Sequence, residues 1–272
     1  MKARPLISCA VVALLATGAT AAAAPAEKRS PQFAPAASAT VKPGVQTVTG
    51  NNQCTANFVF LDAAGTVYLG QSAHCASTSG PTVVDGCRGV SLPLGTPVRV
   101  SGASLPGVLA YSSWIAMQSA GEQDASTCLN NDFALIRLDP ADVGRTNPSV
   151  PFFGGPVALD TDGTQQGEQV VTYGNSSLRF GLTSTSPKRG ISTGTSGQGW
   201  RHTVYTVSPG IPGDSGSPVL DGAGRAIGTL STISALGSNG VSDLARQIAY
   251  AAGHGVPGLT LVPGTERFRG FL

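Results

Sequence analysis

The sequence predicts an all-β protein, and three observations carry that reading. Only 12% of the residues are charged, about half the roughly 25% of an average soluble domain. Glycine (36) and proline (19) are frequent enough to cut the chain into short pieces. Between those cuts, short apolar or alternating runs recur, the pattern of strands separated by turns and not of long amphipathic helices. At 272 residues the chain can bury a sizeable core as one large domain or two small ones.

In chain order, the first segment begins Met1-Lys2-Ala3-Arg4, continues as an apolar run over 6–16 and closes in Ala19-Thr20-Ala21-Ala22-Ala23-Ala24. A basic start, a short apolar centre and a small-residue cleavage site read as a secretory signal peptide over 1–24. The apolar part is shorter than the about 20 residues a membrane span requires. The expected location is therefore extracellular. Residues 25–45 are rich in Ala, Pro and Ser, lack helix or strand periodicity and read as a leader or short pro-segment.

The folded domain is expected over 46–272. Strand-like runs fall at 56–61, 66–69, 97–100, 108–116 and 133–138. A Pro/Gly-rich bridge at 139–156 leads to a second series at 168–173, 178–185, 202–207, 217–220 and 225–232. Two β-rich halves, about 46–140 and 157–272, follow. One short helix is expected near the C-terminus, capped by Ser242, with Leu244, Ile248 and Ala251 on one face.

Cys9 leaves with the signal, so the exported chain keeps Cys54, Cys75, Cys87 and Cys128 in an oxidising compartment. Spacing alone leaves all three pairings open. Loss of Lys2 and Arg4 leaves fifteen basic and fifteen acidic side chains, with no Lys/Arg cluster. Nucleic acid and anionic membrane surfaces are not expected partners.

Three segments carry chemistry. Gly213-Asp214-Ser215-Gly216-Ser217-Pro218 surrounds a serine with glycines, which let the backbone turn tightly and present N–H groups beside the hydroxyl, as an oxyanion hole requires. Alone it would be ordinary turn chemistry. Gln71-Ser72-Ala73-His74-Cys75 holds one of three histidines, and a serine hydroxyl needs an imidazole to accept its proton. In Asn130-Asn131-Asp132-Phe133-Ala134-Leu135-Ile136-Arg137-Leu138 an acid stands at the mouth of an apolar strand, where it can orient the imidazole and stabilise the imidazolium. His74, Asp132 and Ser215 together make a candidate catalytic triad.

These segments resemble the histidine, aspartate and serine motifs of the chymotrypsin-like serine peptidases, in that family's order. SAHC stands at the T/S-A-A/G-H-C motif, NNDFALIRL is close to D-N-D-I-A-L, and GDSGSP departs from GDSGGP at one residue. The similarity spans about residues 54–251, and the block from Gln53 to Phe60 resembles the actinobacterial secreted branch.

The resemblance implies two packed antiparallel six-stranded barrels with the site between them. It also implies a Cys54–Cys75 bridge around the histidine loop, which leaves Cys87 with Cys128. The amides of Gly213 and Ser215 would form the oxyanion hole, Ser231 would hydrogen-bond Asp132 and begin a substrate-binding strand, and Asp214 would be ion-paired. Two departures matter. Pro209 stands six before the serine, where trypsins have aspartate, and no I/V-V-G-G start is present, so Asp214 has either an internal arginine partner or none. With neutral residues at 208–212 and at Ser231-Thr232-Ile233, the expected preference is for a small or apolar side chain.

The expectation is a secreted, monomeric serine endopeptidase acting on proteins or peptides, without cofactor or metal. An α/β-hydrolase would need the order Ser–Asp–His and G-x-S-x-G, and Ser217 breaks that motif. A metal enzyme would need a second pair of ligands at the right spacing beside His74 and Cys75. A non-catalytic binding protein on the same fold would normally have lost a triad residue, and all three types are here.

Overall fold

The computed structural model describes residue 1 and residues 31–80, 83–234 and 236–270. The signal-peptide reading therefore lies almost wholly outside the described residues. The first half of the chain supplies β1 (Gln46–Thr49), β2 (Asn52–Thr55), β3 (Val59–Leu61), β4 (Val67–Gln71), β5 (Pro97–Val100), β6 (Gly107–Ser112) and β7 (Ala134–Arg137). The second supplies β8 (Gln166–Tyr173), β9 (Pro187–Ser196), β10 (Arg201–Thr206), β11 (Pro218–Asp221), β12 (Ala226–Ile233), β13 (Asn239–Asp243) and β14 (Thr260–Leu261). The helices are short: α1 (Ser113–Ala120), α2 (Ala125–Asn130), α3 (Pro140–Val143) and α4 (Leu244–Gly253).

Strands β8 to β13 close into a six-stranded barrel in the order β10-β13-β12-β11-β8-β9. Its interior is a compact set of β-branched residues, Val170, Val204, Val219, Ile227 and Val241, side chains that suit a pleated, curved wall. The first half differs from the expected six-stranded barrel. It is an eight-stranded antiparallel sheet, β14-β3-β4-β7-β6-β5-β1-β2. Seven of its strands come from the first half and the eighth from the far end of the chain: β14 pairs Thr260 with Leu61 and Leu261 with Phe60, covering an edge of β3 that would otherwise present unpaired backbone groups.

A core shared by both halves joins them. Phe58, Phe60 and Phe133 of the first half pack with Val171 and Leu220 of the barrel, Val150 and Phe153 of the linker, and Leu244, Ile248 and Ala251 of α4. Residues 33–45, expected to be leader or pro-segment, belong to this packed body. Val41 is fully buried and bridges Thr146 of the linker, Ala34 N donates to Thr146 O while Ala34 O accepts from the Asn147 side-chain amide, and Phe33 packs on the core of the first half.

Four local expectations are corrected. Residues 113–116 are the start of α1 and not strand; α1 ends at Gly121, whose φ of 66° suits glycine. The run 178–185 is two single 3-10 turns, Ser177–Arg179 and Thr183–Thr185. β9 and β13 were not foreseen, because PKRGISTGTS and NGVSD lack alternation and are strands through their neighbours. The C-terminal helix is capped by Asp243, which accepts from Arg246 N, and not by Ser242, which is still in β13. Its buried face does include Leu244, Ile248 and Ala251.

Candidate active site

His74 lies in a single 3-10 turn, Ala73–Ala76, directly after β4. The next residue, Cys75, is bridged to Cys54 of β2, so the histidine loop is fastened to the strand beneath it. The second bridge, Cys87–Cys128, ties a loop to α2. The first pairing is the one the resemblance implies, and the second joins the two cysteines it leaves over. The two groupings of potential metal ligands among the described residues, Cys54–His74–Cys75 and Asp85–Cys87–Cys128, each contain both sulfurs of a bridge and so offer no thiolate.

Asp132 arrives between α2 and β7, and Ser113 clamps its neighbours: the Ser113 hydroxyl donates to Asn131 O (2.6 Å) and accepts from Phe133 N (2.9 Å). The buried carboxylate then receives three donors. Its Oδ1 accepts from His74 N (2.8 Å), and its Oδ2 accepts from His74 Nδ1 (2.6 Å) and from the Ser231 hydroxyl (2.6 Å). Burial opposes charge on both partners. The attraction and hydrogen bonds between them outweigh it, so His74 is held above its ordinary 6.5 and Asp132 below the usual carboxylate range. With Nδ1 committed to Asp132, Nε2 is the nitrogen left to exchange protons. The His74 side chain keeps 28% of its surface exposed against 5% for Asp132.

Ser215 is on a turn held from both halves of the molecule. Thr55 of β2 donates its N–H to Ser215 O (2.8 Å) and its hydroxyl to Gly213 O (2.8 Å). Gly216, at φ 88°, packs so tightly that a Cβ there would fall 2.4 Å from Thr55 O and 3.1 Å from Ser72 N. The nucleophile turn thus abuts the backbone two residues before His74. No hydrogen bond joins the Ser215 hydroxyl to the His74 ring; bonds of this kind often tighten only when substrate is bound.

The amides of this turn divide into two groups. Asp214 N donates to Ile211 O, Gly216 N to Leu230 O and Ser217 N to Asp214 O, whereas Gly213 N and Ser215 N have no partner among the described residues. Gly213, at φ 95°, directs its backbone in a way other residues resist. Two free N–H groups flanking a serine hydroxyl are the donors an oxyanion needs.

The antiparallel strands around this turn match solved structures. Over 83% of this chain and 100% of the other, the chain superposes on Thermobifida fusca protease A with a TM-score of 0.53 at 17% identity. For Cellulomonas bogoriensis chymotrypsin the TM-score is 0.51 at 17% identity, covering 82% of this chain and 98% of that one. The fold is the chymotrypsin-like fold. A glutamic acid-specific serine protease that uses a histidine triad in substrate binding also shares this chymotrypsin-like fold, with a TM-score of 0.50, 17% identity, and coverage of 82% and 100%. No family model and no curated protein sequence matches the chain.

Within this chymotrypsin-like frame, the segment carrying Pro209 meets the strand carrying Ile233 at Gly210. Pro209 is exposed, and Gly210 N donates to the Asn239 side chain (2.8 Å). A Cβ on Gly210 would be 3.0 Å from Leu230 Cδ2 and 3.4 Å from Ile233 Cδ1, so these two apolar side chains close on the backbone opposite them. Thr232 instead aims its hydroxyl at Gly240, where a Cβ would be 2.2 Å away.

Sequence reasoning left the partner of Asp214 open. The structure supplies two, Arg179 and Lys188, both reaching Oδ2. They hold the carboxyl below its usual range despite burial, which pushes the other way. Gln53 was also missed: its amide donates to Gly213 O (3.2 Å) and its carbonyl accepts from Ser177 N (2.8 Å). Only the position of Gln53 beside Cys54 hinted at it.

Proposed function

We propose that this protein is a secreted serine endopeptidase that cleaves peptide bonds through an acyl-enzyme. The observation that carries the reading is the pairing of an ordered Asp132–His74 couple with a serine turn that keeps Gly213 N and Ser215 N free. His74 Nε2 removes the proton as Ser215 Oγ attacks the scissile carbonyl, whose oxygen becomes an oxyanion facing the two free amides. His74 then returns the proton to the leaving amine, and the C–N bond breaks to leave an ester on Ser215. Water, deprotonated by the same nitrogen, hydrolyses the ester and restores the enzyme. Asp132 stabilises the imidazolium at each stage and does not itself take the proton.

A small or apolar side chain before the scissile bond suits the site. Leu230 and Ile233 approach Gly210 closely, Pro209 supplies no carboxylate for a basic side chain, and the pocket segments are neutral. A histidine-built pocket for an acidic side chain has no counterpart here. Of the three histidines, His74 is in the couple, His202 is buried in the barrel against Asp243, and His254 stacks on Tyr250 at the end of α4.

Export is supported by the N-terminal pattern and by two disulfides. No helix among the described residues is long and apolar enough to cross a membrane. The proposed working form is a monomer acting without cofactor. The deciding test is labelling with a fluorophosphonate, followed by peptide mass spectrometry. An adduct on Ser215 that is lost in His74→Ala is expected; an unlabelled, folded protein would remove the reading.

A further inference from the structure

We infer that Lys188 is a positioning residue for the hydrolysis proposed above: its ammonium ties the turn carrying Ser215 to the segment flooring the pocket and leaves one net positive charge behind the oxyanion site. The inference rests on that proposed function and goes beyond it.

Lys188 comes from β9, opposite Thr172 of β8, and its side chain is 2% exposed. It points into the barrel, where Thr172, Val204, Thr206, Val219, Asn239 and Val241 surround it. None of these carries charge. The charged groups that reach it are Asp214 of the nucleophile turn and Arg179 of the 177–179 turn. Its Nζ donates to Asp214 Oδ2 (2.7 Å) and to the carbonyl of Pro209 (3.1 Å). One side chain therefore grips both the residue before the nucleophile and the pocket segment six residues ahead of it.

The Asp214 carboxylate does not need this lysine for neutrality. Arg179 already pairs with it, and Ser176 N (3.1 Å) and Ile211 N (3.2 Å) donate to its two oxygens. Two cations thus face one anion in the interior. A second buried cation is disfavoured by desolvation and by repulsion from Arg179, so ion-pair stability is a poor reason for its presence. Its effect on chemistry has the opposite sign. Asp214 lies between the two residues whose amides are free, and an uncompensated positive charge in a poorly solvated interior favours an oxyanion there more than a neutral carbonyl. The bond to Pro209 adds a second consequence, because movement of that carbonyl would move the pocket floor.

The experiment compares wild type, Lys188→Met and Lys188→Arg on a neutral peptide substrate, recording kcat and KM from about pH 6 to about pH 11. Removing a direct oxyanion donor costs about a hundredfold or more in kcat. A charge acting through Asp214 is expected to cost about tenfold in kcat in Lys188→Met, with a smaller rise in KM. Burial and the nearby Arg179 hold Lys188 below the ordinary 10.5, with Asp214 acting against them. Wild-type kcat should therefore fall at alkaline pH as the ammonium loses its proton. In Lys188→Arg the guanidinium keeps its charge, and the alkaline limb should move to higher pH. An unchanged alkaline limb in Lys188→Arg would overturn the inference even if Lys188→Met fails to fold, and wild-type kcat in a folded Lys188→Met would overturn it as well. Fluorophosphonate labelling of wild-type Ser215 keeps the two ideas apart: without it the hydrolase reading fails, and with it the kinetics judge Lys188 alone.

Discussion

Asp132 collects three donors on two oxygens, and its neighbours determine how each will respond to change. In the proposed mechanism the active form of His74 is the neutral ring. Because Asp132 holds the imidazole above its ordinary 6.5, the acid limb of kcat/KM should lie above that value, and activity should be lost as pH falls through it. A pH–rate profile with its limb below about pH 6 would contradict the couple. Ser231→Ala removes one hydrogen bond to a buried carboxylate, an interaction of about 1.5 to 3 kcal/mol. Part of that loss should appear in the transition state as an about tenfold fall in kcat/KM, with Asp132 titrating higher, measurable in steady-state assays of the folded variant.

At the scale of elements, the barrel and its last helix meet at Asp243. One oxygen caps α4 through Arg246 N (2.8 Å), and the other faces His202 Nε2 (3.0 Å) inside the barrel. The opposite nitrogen of His202 lies within hydrogen-bond distance of Thr164 (3.2 Å) and Thr195 (3.0 Å). Asp243→Ala removes the cap, worth about 1 kcal/mol, and leaves a buried ring nitrogen unpaired at a further about 1 to 3 kcal/mol. Asp243→Asn keeps the cap through its amide oxygen but sets an NH2 donor against the ring N–H of His202, so it should lose only the buried pair. Urea unfolding of the two variants separates cap from buried pair. The difference between the two losses is then the cap, and an Asp243→Asn protein as stable as wild type would show that His202 contributes nothing through Asp243.

For the whole molecule, the two disulfides should have unlike effects. Cys87–Cys128 closes a stretch of 41 residues, and its removal should cost about 2 to 4 kcal/mol while leaving kcat/KM of the folded fraction nearly intact. Cys54–Cys75 holds the histidine loop to β2, so its removal should lower both stability and kcat/KM. Thermal melts beside activity assays check the contrast. Truncation tests the N-terminal segment. With Arg179 and Lys188 already on Asp214, a chain beginning at Pro31 should be active without any new terminal ammonium. One beginning at Gln46 should lose the Val41–Thr146 contact and fold poorly. Acid should also unfold the protein. Asp132 and Asp214 are held below the usual carboxylate range, so their stabilisation is complete above about pH 4 and is lost as pH falls through their folded values.

The all-β class, the strand 97–100 and the buried face of α4 could be read from the sequence, because turn residues and apolar spacing are local signals. The Asp132–His74 couple and the glycine-flanked turn at Ser215 could be read because each stands in a short motif whose chemistry constrains its neighbours. β9 and β13 could not. They are polar segments that become strands only because β8, β10 and β12 lie beside them with unpaired backbone groups. The same holds for β14, which joins the first sheet across nearly two hundred residues. Arg179 and Lys188 show the limit most clearly. Nothing local distinguishes them from surface cations, and only the closure of the barrel turns both onto Asp214. Sequence by itself determined which residue types were available for the proposed acyl transfer and roughly where the strands run. Tertiary structure decided which amides stay free, which cations are buried and how the pocket wall closes, because those depend on contacts between residues far apart in the chain.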